Sequence, residues 1–168
     1  AEGSNAPATT AAEATSIWQA TTAGAVCAHL PAAGILQISG DRASAFVQQV
    51  TTRNLAQLRP HQAERTFILE PDGTLMSDAT IWRMSAGDAE SDRYWLTLPA
   101  ETRQRVRAWL RDLSDGYVVF DPDDLLAKVE GPVVVDDLGS EPPAEDRLAL
   151  VILQGTQSPA ILHALGVE

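Results

Sequence analysis

Arg65-Thr66-Phe67-Ile68-Leu69-Glu70, then Pro71-Asp72-Gly73, then Thr74-Leu75-Met76-Ser77-Asp78-Ala79-Thr80-Ile81-Trp82-Arg83 is the stretch that decides the fold. Two β-rich runs flank a Pro-Asp-Gly turn, so the stretch predicts a β-hairpin. One carboxylate, Asp78, lies inside the second, otherwise mostly apolar run. Strands avoid Asp, and a buried ionised carboxylate needs a partner or a purpose. Asp78 is therefore the leading functional candidate, set against the plainer reading in which the strand alternates and Asp78 lies on its wet side.

On the N-terminal side of the hairpin, Gly34-Ile35-Leu36-Gln37-Ile38-Ser39 alternates as a strand. Asp41 is placed to N-cap a helix whose face is Ala45, Phe46, Gln49 and Val50. Leu55 and Leu58 anchor the polar loop that follows. Further back, Ser16 to Ala28 predicts a short helix docking through Trp18, with Gly24 against it. Residues 1–13 are low in complexity and read as a flexible arm.

On the C-terminal side, Tyr94-Trp95-Leu96-Thr97-Leu98 predicts a strand, and Pro99 precedes a helix over 100–113. Val106, Trp109, Leu110 and Leu113 fall at i, i+3, i+4 and i+7 and form one apolar stripe. Beside it Arg103, Arg107 and Arg111 make a basic edge, which either recruits an anionic cofactor tail or partner or pairs with nearby carboxylates. Tyr117-Val118-Val119-Phe120 reads as a strand, the acidic segment 121–146 as an exposed insertion, Leu148 to Leu153 as a buried strand and Ser158 to Leu165 as a last helix. The sum is an α+β fold: an antiparallel or mixed sheet with helices packed on one face, in a single domain over 14–168.

The chain has 168 residues and a formal charge of −11. That charge argues against generic nucleic-acid binding and against adhesion to an anionic membrane surface. No apolar run is long enough to cross a bilayer, so a soluble chain without membrane insertion is expected. Cys27 is the lone cysteine, which excludes an internal disulfide and a paired-cysteine metal site within the chain and reads as a small buried hydrophobe. His29, His61 and His163 lie far apart, no metal site is signalled, and the Walker, GxGxxG, HExxH and GxSxG patterns are absent.

The run from Ile38 to Leu55, the segment Leu58-Arg59-Pro60-His61-Gln62-Ala63 and the stretch Asp72 to Arg83 together resemble the first half of the folate-binding module of the glycine-cleavage T-protein (aminomethyltransferase) superfamily. Leu148 to Gly155 resembles that module's later strand ending in Gln-Gly. The resemblance implies that Asp78, matching the second Asp of a Gly-Gly-x-x-Asp-Asp run, sits at a folate and one-carbon transfer site. A carboxylate there can orient the folate amine and stabilise positive charge on the one-carbon adduct. Ser77 replaces the first Asp of that run and Thr74 its second Gly. Arg65 and Trp82 stand where T-proteins tend to carry tyrosines, and Leu98-Pro99-Ala100-Glu101 replaces a pterin-holding loop, so Arg65, Trp82 and Leu98 are the expected neighbours of the cofactor.

The implied cofactor is tetrahydrofolate, bound weakly or not at all by one half of the module, so another chain or a multi-subunit complex is expected to complete it. The implied function is a subunit or fragment of a tetrahydrofolate-dependent aminomethyl or methyl transferase. The alternatives are a non-catalytic accessory or scaffold subunit, or a YgfZ-type factor for iron–sulfur cluster maturation. The compartment implied is a bacterial cytoplasm or an organelle matrix or stroma.

Overall fold

The turn chemistry at Pro71-Asp72-Gly73 sets the centre of the fold. The structure, a computed structural model, describes residues 11–30, 33–84, 92–121 and 123–167. Along the chain run α1 (Ala11–Ala23), β1 (Val26–Leu30), β2 (Ala33–Ser39), α2 (Ala43–Val50), β3 (Ala63–Leu69), β4 (Leu75–Met84), β5 (Arg93–Pro99), α3 (Ala100–Asp115), β6 (Val134–Asp137), β7 (Leu150–Gln154) and α4 (Ser158–Ala164). Gly73 takes a left-handed φ of 82°, which a side chain would strain. Its N–H donates to the Glu70 carbonyl at 2.9 Å, and the Glu70 N–H donates to the Thr74 carbonyl at 2.9 Å, closing the β3–β4 hairpin. Asp72 Oδ1 accepts from the Thr74 backbone N–H at 2.9 Å and from its hydroxyl at 2.7 Å. Those two bonds, the backbone one foremost, hold the Asp72 carboxyl below its ordinary value.

The described residues divide into two compact units, Pro31–Leu150 and a second drawn from Ala1–Leu30 with Val151–Glu168, where the sequence was read as one domain over 14–168. In the larger unit five strands form an antiparallel sheet in the order β3-β4-β5-β2-β6. Helices α2 and α3 cover one face. Phe46 and Val47 of α2 and Val106 and Leu110 of α3 are fully buried against Leu36, Ile38, Ile81 and Leu96 of the sheet. Each such side chain contributes about 1.5–3 kcal/mol of burial. The expected apolar stripe is this inner face of α3, with Trp109 partly buried beside it. Leu55 and Leu58 are buried as anchors, and Arg83 Nη2, donating to both Asp92 carboxylate oxygens at 3.0 and 3.1 Å, fixes Arg83 where its Nη1 also donates to the Leu58 carbonyl. The Asp92 bond pushes the Arg83 guanidinium's pKa up.

Part of the acidic segment 121–146, expected as an exposed insertion, is built into the sheet, while residues 123–126 and 143–146 are exposed. Its Val134–Asp137 forms β6, pairing antiparallel with β2, and Val135 and Asp137 point inward and are buried. Asp137 is fully enclosed. Its Oδ2 lies 3.3 Å from Arg103 Nε, close enough for charge pairing though not aligned as a hydrogen bond, and its Oδ1 accepts from Gly139 N–H at 3.1 Å. Glu141 accepts from the Asp137 N–H and pairs with Arg107. Two of the three arginines of the basic edge, Arg103 and Arg107, thus pair with the acidic segment, and the buried Asp137 carboxylate needs such a cation. Gly34 makes room for it: a Cβ there would come within 2.7 Å of Arg103 Cδ.

Other expectations are corrected. Tyr117–Phe120 is not a strand: Gly116 ends α3 in the left-handed region, and β6 already occupies the edge of β2. Asp41 does not cap α2, whose N-cap is Arg42 without a side-chain bond. The first helix spans Ala11–Ala23 rather than 16–28, so residues 11–13 of the expected arm are helical and residues 1–10 lie outside the described residues. Trp18 is 68% exposed and Cys27 is exposed.

In the smaller unit β1 pairs with β7, and Val151 and Ile152 of β7 are exposed instead of buried. The Gln-Gly pair after β7 has a packing role. A Cβ on Gly155 would fall 2.4 Å from the Gly24 carbonyl, and Thr156 and Gln157 donate backbone N–H groups to Thr21 and Gly24 at the end of α1. No helix of the described residues is long and apolar enough to cross a membrane.

Two outcomes are expected. Arg103→Met keeps the aliphatic stem over Gly34 but strands the Asp137 charge, lowering the unfolding free energy by about 3 kcal/mol, with most of it recovered when Asp137→Asn is added; denaturant titration of the three proteins checks this. The Asp72 carboxyl titrates below 3.8 by NMR and moves partway back in Thr74→Val. Since its folded pKa is depressed, its stabilisation is present above the unfolded value and lost as pH falls through the folded one.

Candidate functional site

Strand alternation sends every second residue to the sheet face that α2 and α3 do not cover. In β4 these are Asp78, Thr80 and Trp82, with Ser77, Ala79 and Ile81 buried toward the helices. Asp78 pairs across with Phe67, Thr80 with Arg65 on β3 and with Thr97 on β5, and Trp82 with Ala63 and Trp95. Gln37 of β2 stands opposite Trp95. The uncovered face therefore carries Asp78, Arg65 and Trp82 together, three of the four residues singled out in the sequence.

Asp78 lies on the exposed side of its strand, as the plainer reading had it, with its side chain 51% accessible. Arg65 Nη2 lies 3.7 Å from Asp78 Oδ2, a loose pair on an open surface. The Trp82 indole N–H donates to Thr97 Oγ1 at 3.2 Å, and that hydroxyl donates to the Thr80 carbonyl at 3.4 Å. The Trp95 N–H donates to Gln37 Oε1 at 3.1 Å. Phe67 and Trp82 remain 49% and 38% exposed. The arrangement offers a carboxylate acceptor, an exposed guanidinium and aromatic surface on one face, a set suited to a flat ring bearing N–H donors.

Leu98, the fourth expected residue, is buried in the core on the helix side, so its side chain is not part of this face. Neither is Ser77, which is buried and shares a 2.8 Å hydrogen bond with Thr102 of α3. Sequence reasoning missed Thr80, Thr97, Trp95 and Phe67. Alternation from Asp78 pointed to Thr80, and alternation within 94–98 joined Trp95 to Thr97, but the register that sets Thr97 beside Thr80 has no local signal.

Cavities of about 390 Å³, lined by Gln49, Glu70, Trp109 and Phe120 among others, and about 520 Å³, lined by Arg42 and residues of 113–132, lie elsewhere. Among the described residues no group of three His, Cys, Asp or Glu side chains could hold a metal ion. Because the Arg65–Asp78 pair is loose and exposed, Asp78→Ala is expected to change the unfolding free energy by less than about 0.5 kcal/mol. Chemical denaturation of the variant checks it, and a loss of several times that size would make Asp78 a structural residue.

The family described as "GCVT N-terminal domain" matches residues 9–167. Among curated relatives, an aminomethyltransferase of Chlorobaculum parvum is 32% identical over 129 residues, covering 77% of this chain and 29% of that protein. One of Chlorobium phaeobacteroides is 29% identical over 126 residues, covering 72% of this chain and 33% of that protein. The chain thus spans about a third or less of the length of these relatives. The solved structure of glycine cleavage system aminomethyltransferase T from Bartonella henselae superposes with a TM-score of 0.68 at 19% identity, over 96% of this chain and 37% of that one, which establishes likeness of fold. With the sheet, its uncovered face and a match over nearly its whole length, the chain belongs to the GCVT N-terminal domain family.

Proposed function

We propose that the uncovered sheet face is one wall of a tetrahydrofolate site, and that the chain serves an aminomethyl or methyl transferase whose second wall comes from further sequence or another chain. The observation that carries this is the convergence of Asp78, Arg65 and Trp82 on one open face. A reduced folate supplies amine nitrogens that carry a one-carbon unit. The residues present fit such a group. Asp78 only accepts hydrogen bonds, so it can orient a ring or bridging N–H and oppose positive charge that develops on the nitrogen. Trp82 offers indole surface to the ring, and Arg65 neutralises Asp78 until a ligand N–H takes its place.

On this open face Asp78 sees water, and a carboxylate in water stabilises a nearby cation weakly. A second wall that excludes water strengthens the same contact several-fold, which is why the proposal requires one. A second reading, an accessory or scaffold domain, draws on the exposed Phe67 and Trp82 of the face. The iron–sulfur maturation alternative keeps only the family resemblance.

Calorimetric titration with 5-formyltetrahydrofolate, on the chain alone and with the protein that accompanies it in its native source, tests the proposal. Binding is expected with the second component and is lost in Asp78→Ala. Unchanged binding by Asp78→Ala sinks the site assignment, and absence of binding in both conditions favours the scaffold.

A further inference from the structure

The structure assigns Thr97 the part of a positioning residue that sets the Trp82 indole toward Asp78; the inference rests on the reading of this face as a ring-binding wall. An indole N–H is a donor only and needs an acceptor when it is partly covered. The residue directly across from Trp82 is Trp95, which has no acceptor to give and whose own N–H is committed to Gln37. The Trp82 N–H instead reaches Thr97 Oγ1, which stands two residues along β5, opposite Thr80. Thr97 can accept this bond in a fixed orientation because its own proton is directed to the Thr80 carbonyl.

The direction of that reach is what matters. Along β4 the order is Asp78, Thr80, Trp82, so an indole bonded in the Thr80 row leans back toward Asp78. Asp78 and Trp82 start about 13 Å apart along the strand, and the lean brings the indole nitrogen within about 7 Å of the Asp78 row. That remaining gap is about the width of a two-ring heterocycle. Without the Thr97 hydroxyl, the indole N–H turns to water and the side chain is free to swing away along the face. Thr97 needs no contact with the ligand for this; it acts through Trp82.

The test compares Thr97→Val, which keeps the shape and removes the hydroxyl, with Thr97→Ser, which restores the hydroxyl. The indole ¹H–¹⁵N resonance of Trp82, assigned with Trp82→Phe, is read in the absence of ligand. It is expected to shift and to exchange faster with water in Thr97→Val and to stay near its original position in Thr97→Ser. Binding of 5-formyltetrahydrofolate in the complete assembly is expected to weaken about fivefold in Thr97→Val, the size of one ordinary hydrogen bond, and to recover in Thr97→Ser. In a Trp82→Phe background Thr97→Val is expected to cause no further loss, because the effect passes through the indole.

An unmoved Trp82 resonance, or a loss that adds fully to that of Trp82→Phe, overturns the inference. If the unaltered assembly binds no folate, the folate reading falls and takes the ligand-facing part of the inference with it, while the resonance still decides the Thr97–Trp82 bond.

Discussion

A strand shows its side chains to two faces in turn, and in this sheet helices cover only one of them. The apolar core of the larger unit lies on the side of α2 and α3, while Asp78, Arg65 and Trp82 lie on the other face. The division runs through adjacent residues of β4. Ser77 is buried and bonded to Thr102, whereas Asp78 lies in the open beside Arg65. A one-residue slip in the pairing of β4 would exchange them, placing a carboxylate against Leu and Val side chains, at a cost of several kcal/mol. The packing of the core and the presentation of Asp78 are therefore a single constraint.

That division also explains how this chain departs from the Gly-Gly-x-x-Asp-Asp pattern it resembles. Ser77, in place of the first Asp, is on the covered side, where a neutral hydroxyl is easier to satisfy than a carboxylate. The second position keeps its acid. Ser77 bonds Thr102 of α3, while the acid of the second position stays on the uncovered face.

Legibility in the sequence followed the range of the interactions. The hairpin, the strand at 93–99 and helix α3 rest on neighbours within a few residues, and they were readable from turn chemistry and periodicity. Asp78, Arg65 and Trp82 could be named as candidates, and alternation put Asp78 and Trp82 on one face. Strand β6 within segment 121–146 was missed because the acidic composition resembles a solvated loop, whereas burial of Asp137 there depends on Arg103, more than thirty residues away in sequence. Leu98 was named from the resemblance alone, while its alternation with Thr97 sends its side chain to the core. The pairing of β1 with β7 joins segments over a hundred residues apart, and no local signal announces it.

The close approach of Gly155 to Gly24 bears on the order in which the molecule is made. Synthesis runs from the N-terminus at about 5–20 residues per second. Strand β1 is translated ahead of the five-stranded sheet, whereas its partner β7 and the glycine that fits against the end of α1 follow only after that whole sheet. The β3–β4 and β4–β5 pairings close much shorter loops, and short closures cost less entropy and form sooner. During translation β1 waits with an unpaired edge, a surface open to aggregation, until β7 arrives.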